Sequence, residues 1–292
     1  MHEDSAMNPV FRFFPAMVLF ALLCFQGAAL ADDWADKTIT GKEAENILNM
    51  LANSGWIADG PDNGKHLYVL FTATCGYCEM LYDKTRALTD EVQLRWIPMD
   101  SGGDLDRLYE NPVAQSVKNS FDGQLPDGVD PEKAARIRQY TIGGVIFYIA
   151  NQTIVDNPSR FGFPTLLYGE GDKLSVIVGM PQDMPGMIKS IPQGKADDQG
   201  FVPAAYAFAD RKVELLAIKS LSYSNNNQEN TSIRMMPFDD APRLGSALPG
   251  TSGIPVLGVT ENGYAVVSFD GSNPHIYVQD KDFVQKELAA AK

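Results

Sequence analysis

Cys75 and Cys78 stand three positions apart in the run Leu67-Tyr-Val-Leu-Phe-Thr-Ala-Thr-Cys75-Gly-Tyr-Cys78-Glu-Met-Leu81. A thiol at a helix N-terminus meets the positive end of the helix dipole and unpaired first-turn N–H groups, and both favour its thiolate. A partly exposed thiolate attacks disulfides, and a second thiol one turn further on can resolve the mixed disulfide. The chemistry open to this pair is therefore thiol–disulfide exchange. Two other readings compete. Zinc takes four ligands in a closed site, and beyond the pair the chain holds only Cys24, His2, His66 and His275, with no ligand-like grouping. Two inert core thiols are the second.

Delivering the pair to a helix start requires a strand before it and an amphipathic helix after it. The apolar run 67–72 supplies the strand, and Ala73-Thr74 a short polar turn. Upstream, residues 41–54 carry Ala44, Ile47, Leu48, Leu51 and Ala52 at the spacing of one helix face. Gly60-Pro-Asp-Asn-Gly64 is a turn cluster. Downstream, Val92 to Ile97 alternates as a second strand that ends at Pro98. Residues 101–158 read as an insertion of weak helices. The best of these starts at Asp130-Pro131, with Asp as cap and Pro at the first helical position, and is expected to end where Gly143-Gly144 breaks it. Phe163 to Tyr168 and Leu174 to Val178 flank a turn at 169–172 as a hairpin, and a short helix at about 183–191 closes the unit.

The N-terminus reads as an export signal. Arg12 precedes an apolar stretch from Ala16 to Phe25, and Ala29-Leu-Ala31 provides a cleavage site. That removes Cys24 with residues 1–31 and leaves Cys75 and Cys78 as the whole thiol complement, without a structural disulfide framework. The expected compartment is the periplasm. The net charge of −13 comes with no basic cluster, which excludes nucleic acid as a partner class. An acidic solvated surface accounts for the charge.

With these residues in place, the chain resembles the catalytic domain of the bacterial periplasmic DsbC/DsbG thiol:disulfide interchange proteins of the thioredoxin superfamily. The resemblance rests on Ser54-Gly-Trp-Ile-Ala-Asp-Gly60, the strand ending in Cys75-Gly-Tyr-Cys78, Val92-Gln-Leu-Arg95, and the stretch from Phe163 through Val178-Gly-Met-Pro181. It covers about residues 52–191. It implies a thioredoxin-like α/β fold with a helical insertion. It implies Cys75 as the exposed nucleophile and Cys78 as the buried resolving thiol. Gly76 and Tyr77 become the pair that tunes the redox potential. Pro164 becomes a cis-proline beside the cysteines, and the backbone of Phe163 a partner for a bound substrate strand. Three departures stand out. Phe163 is bulkier than the small or β-branched residue usual there. Val69 occupies the position where thioredoxins proper carry a buried acid. The family's N-terminal dimerisation domain is missing, and an extra C-terminal region is present.

Residues 193–200, preceded by Pro192, read as a linker. The chain then divides into a catalytic unit at 32–192 and a smaller α+β accessory unit at 201–292. In the latter, Val213 to Tyr223 is strand or helix. Val256 to Val259 and Tyr264 to Phe269 form a hairpin about Asn262-Gly263, and a helix ends the chain from Asp280. The order Gly-x-Pro255, strand, turn, strand, helix echoes 162–191 and raises the expectation of a degenerate, cysteine-free copy of the catalytic fold. The expected activity is a protein disulfide isomerase or reductase, with no cofactor and no metal. Its partners would be substrate proteins and a membrane reductase that keeps the pair reduced. An oxidase paired with an oxidant, and a non-enzymatic chaperone or envelope-assembly protein, stay open. The oligomeric state is also open.

Overall fold

The computed structural model describes residues 35–99, 105–216, 218, 222–268 and 275–291. The expected signal segment and its cleavage point lie outside them. The protein is α/β, built on two sheets. The first region runs β1 (Lys37–Thr40), α1 (Lys42–Asn53), β2 (Ile57–Asp59), β3 (His66–Phe71), α2 (Gly76–Thr85), β4 (Gln93–Pro98), α3 (Asp106–Glu110), α4 (Ala114–Phe121), α5 (Pro131–Ala150), β5 (Thr165–Glu170), β6 (Lys173–Val178) and α6 (Met184–Ser190). Its sheet has the order β1-β6-β5-β3-β4-β2, with β3 and β4 parallel and every other pair antiparallel.

β3 lies centrally because both its faces are apolar. Tyr68 and Leu70 point to one side, with Ile97, Leu167 and Val176, and are covered by α1 and α5 through Ile47, Leu51 and Ile137. Leu67, Val69 and Phe71 point to the other, with Leu94, Trp96 and Leu166, under Cys78 and Leu81 of α2, Val117 of α4 and Met187 of α6. The period-two alternation of a strand distributes these side chains between two helical layers.

The second region runs α7 (Ala204–Ala207), β7 (Leu215–Leu216), β8 (Ser222–Tyr223), β9 (Thr231–Arg234), β10 (Arg243–Ala247), β11 (Ile254–Thr260), β12 (Tyr264–Ser268), β13 (His275–Gln279) and α8 (Lys281–Ala291). Its sheet has the order β10-β9-β13-β12-β11-β7, with β8 paired to β11, and all its pairings are antiparallel. The ambiguous stretch 213–223 holds two short strands. Gly263 takes a φ of +96° in the β11–β12 turn, a conformation glycine adopts without steric cost. The expected copy of the catalytic fold is not there. This sheet has no parallel pair, and among the described residues the one cis peptide bond is Phe163–Pro164, so Ile254–Pro255 is trans. A hairpin followed by a helix is a common ending, and the shared order of elements came from that alone.

A second correction concerns α5, which runs unbroken through Gly143 and Gly144 to Ala150. A Cβ on Gly143 would lie 2.2 Å from the carbonyl oxygen of His275, and one on Gly144 2.9 Å from Met50 Cγ. The two glycines let the helix approach β13 and α1 rather than ending it, and tertiary contact outweighs their low helix propensity. α5 is thereby the shared wall of both regions. One apolar cluster includes Ile47 and Met50 of α1, Tyr140 and Tyr148 of α5, Leu244 of β10 and Val278 of β13. Tyr148 also donates from its hydroxyl to the carbonyl of Leu244 at 2.7 Å. Among the described residues no helix is long and apolar enough to cross a membrane.

Candidate active site

β3 ends at Phe71, and Thr72 to Thr74 turn the chain into α2. Cys75 caps that helix from an extended conformation, with φ −87° and ψ 101°. Its carbonyl accepts the N–H groups of Cys78 (2.9 Å) and Glu79 (3.2 Å), and its Sγ accepts the Cys78 N–H at 3.1 Å. A sulfur at this position receives a first-turn donor and faces the positive end of the dipole, and both hold a thiolate in place. Cys75 and Cys78 are disulfide-bonded, with Cα atoms 5.2 Å apart. Cys75 is half-buried and Cys78 is completely buried. The pair is therefore asymmetric, with one residue partly exposed to solvent and its partner wholly buried.

The intervening residues leave the approach open. Tyr77 is 64% exposed, and a Cβ built on Gly76 would touch nothing within 4 Å. Steric crowding from the rest of the protein therefore does not require glycine at position 76. The second strand beside the site is β5. Leu70 pairs with Thr165, and continuing that antiparallel register sets Pro164 opposite Phe71 and Phe163 opposite Thr72. Pro164 is buried, joined to Phe163 by a cis peptide bond, and its carbonyl accepts the Gly179 N–H at 2.7 Å. Phe163 is half-buried, its ring edge-on to Phe161 with centroids 5.2 Å apart. Phe163, Ala73, Cys75 and Met180 rest on one apolar cluster, so all six residues expected to form the site lie at one end of the sheet. Val69 is buried in that same cluster with Cys78, which leaves aliphatic and aromatic groups where an acid would stand.

Sequence reasoning left out the neighbour supplied by the insertion. Lys118 of α4 places Nζ 2.9 Å from Glu79 Oε1 and 3.3 Å from Asp122 Oδ1. Tyr82 of α2 donates to the Ala114 carbonyl at 3.4 Å. α4 therefore runs antiparallel beside α2, with its C-terminal turn next to the N-terminus that carries Cys75. No local pattern signals this, because Glu79 and Lys118 are 39 positions apart.

A second polar cluster lies at the opposite end of β3. Asp62, His66 and Asp197 bring ligand-type atoms within 4.8 Å of one another. The charge they would offer a metal is already met. Arg95, with a side chain 1% exposed, reaches Asp197 at 2.6 Å, His66 Nε2 at 2.8 Å and Asp62 at 3.6 Å, and stacks over Trp56 at 4.3 Å. The guanidinium stands where a cation would. Burial, together with this guanidinium, lowers the pKa of His66. Burial acts to raise that of Asp62, but hydrogen bonds from His66 and from the Asp197 and Gly64 N–H groups bring it down overall. The segment expected to be a linker is pinned here, since Asp197 N–H also donates to Asp62 at 2.8 Å and Gly194 N–H to the Gly64 carbonyl at 3.1 Å.

The chain matches no protein-family model, and no curated protein matches it in sequence.

Proposed function

We propose that the protein is a thiol:disulfide oxidoreductase acting on protein disulfides, built on a thioredoxin-like fold. The observation that carries this reading is the asymmetric pair at the start of α2, with Cys75 partly exposed and its Sγ accepting a helix N–H, and Cys78 wholly buried. The strand order β2-β4-β3-β5-β6, with α2 connecting the parallel pair, supports the fold assignment. In the reaction, Cys75 thiolate attacks one sulfur of a substrate disulfide. The Cys75–substrate bond forms as the substrate S–S bond breaks, and the second substrate sulfur leaves as a thiolate. Two exits follow. Another substrate thiolate can attack the substrate sulfur of the mixed disulfide, which frees Cys75 and leaves a rearranged substrate with no net electron transfer. Alternatively, Cys78 gives up its proton and attacks Cys75 Sγ, which oxidises the pair and delivers two electrons to the substrate. Continued turnover by the second route needs a thiol reductant.

The backbone of Phe163 would receive the substrate. Its N–H and C=O have no hydrogen-bond partner among the described residues, and they lie across from Thr72 at the mouth of the site. An extended peptide carrying the disulfide would satisfy them.

The deciding experiment incubates the reduced protein with a scrambled-disulfide substrate in a glutathione buffer, beside a Cys75→Ser control. Recovery of native substrate that depends on Cys75 makes it an isomerase. Cysteine-dependent reduction without recovery makes it a reductase. No thiol exchange at all overturns the enzymatic reading in favour of a binding protein.

A further inference from the structure

Glu79 stands one helical turn after Cys75, and Cys75 O accepts its N–H at 3.2 Å. A carboxylate in the first turn of α2 opposes the thiolate that the dipole favours, since it adds negative charge at the same helix end. The inserted helix α4 answers this charge with Lys118. We propose that Lys118 is a positioning residue of the exchange reaction: it neutralises Glu79 at the mouth of α2 and so keeps Cys75 in its thiolate form.

The inference rests on the exchange reading above. The charges facing the pair are few. Asp122 at the C-cap of α4 shares the Lys118 ammonium. Asp83 follows one turn further along α2, and Arg86 is paired to Asp59. The segments 72–74 and 161–164, which flank the cysteines, carry no charge. Among the described residues, Lys118 is thus the cation that pairs with this helix start from outside it. The side chains of Lys118 and Glu79 are 28% and 42% exposed, so water screens them and the effect is modest.

The test titrates alkylation of Cys75 in the reduced full-length protein. Lys118→Gln leaves Glu79 unpaired, and the Cys75 midpoint is expected to rise by about half a pH unit. At pH values above both midpoints the equilibrium with glutathione shifts toward the oxidised pair by roughly threefold, because the reduced state loses that much thiolate stabilisation. Lys118→Arg keeps the charge and the original midpoint. Glu79→Gln lowers the midpoint, and Glu79→Gln with Lys118→Gln returns it near the starting value. A support that was merely structural would not produce opposite shifts that cancel. A low midpoint that Lys118→Gln leaves unmoved overturns the role of Lys118 alone. An ordinary thiol midpoint in the unaltered protein overturns the exchange reading instead.

Discussion

At the residue scale, exposure separates two thiols that are chemically alike. Cys75 is partly exposed and Cys78 is wholly buried, so under the proposed exchange reaction their substitutions are expected to fail differently. Cys75→Ser should lose all exchange activity. Cys78→Ala should keep the first step and accumulate mixed disulfides with substrate, read as a higher-mass band on a non-reducing gel that thiols dissolve. Cys75 should also be alkylated well below the pH at which a free thiol reacts, at a midpoint more than one unit under 8.5. Away from the site, burial holds the His275 pKa down to about 4 from its ordinary 6.5. The unfolded chain takes up that proton first. Stability from the neutral ring is therefore complete above pH 6.5 and is lost as pH falls toward 4. His66, also lowered, adds in the same direction. Urea unfolding at pH 5 should show about 1–2 kcal/mol less stability than at pH 7, and His275→Gln should flatten the slope.

At the element scale, close approach of backbones decides what a helix tolerates. A methyl group on Gly143 would press on the His275 carbonyl, which belongs to a paired strand and cannot yield. On Gly144 it would press on Cγ, midway along the buried but unbranched side chain of Met50, which can shift. Alanine gains about 1 kcal/mol of helix propensity over glycine at either position. Gly144→Ala is expected to lie within about 1 kcal/mol of the original protein, whereas Gly143→Ala should cost about 2–3 kcal/mol as overpacking wins, both read by thermal melting. These glycines also mark what the sequence could tell. The helix stripe of α1, the apolar run of β3 and the Pro-started α5 were legible because their patterns are local and strong. The path of α5 beyond Tyr140 was not, since Gly143-Gly144 looks the same whether it ends a helix or admits a neighbour. Lys118 was hidden for a similar reason: its partner is distant in sequence, and a lysine on an amphipathic segment ordinarily faces water. The cysteine pair was the most legible feature, because a strand, a short turn and two thiols three apart leave few geometries.

At the scale of the whole molecule, the C-terminal sheet is joined to the first region by α1 and α5 as well as by the chain. Leu244 meets the apolar cluster that holds Ile47 and Tyr148, so the two regions are expected to melt together. Trp56 and Trp96, the tryptophans among the described residues, both lie in the first region and report on it. Leu244→Ala should lower the tryptophan-fluorescence midpoint in urea by an amount worth about 2–4 kcal/mol, and circular dichroism should follow the same curve. Two separate transitions, with the fluorescence one unmoved, would show that the regions are energetically independent. The pinned segment 192–197 has a practical consequence. Lys195 is exposed between Gly194 and Ala196, while the residues about it are clasped to Asp62 and Gly64 and a common core spans both sides. A chain nicked after Lys195 should therefore hold together and keep whatever exchange activity the intact chain shows, and the two pieces, made separately, should assemble on mixing. The protein would then work as a two-chain complex, with the proposed thiol exchange restored by mixing the halves and no covalent link needed between them.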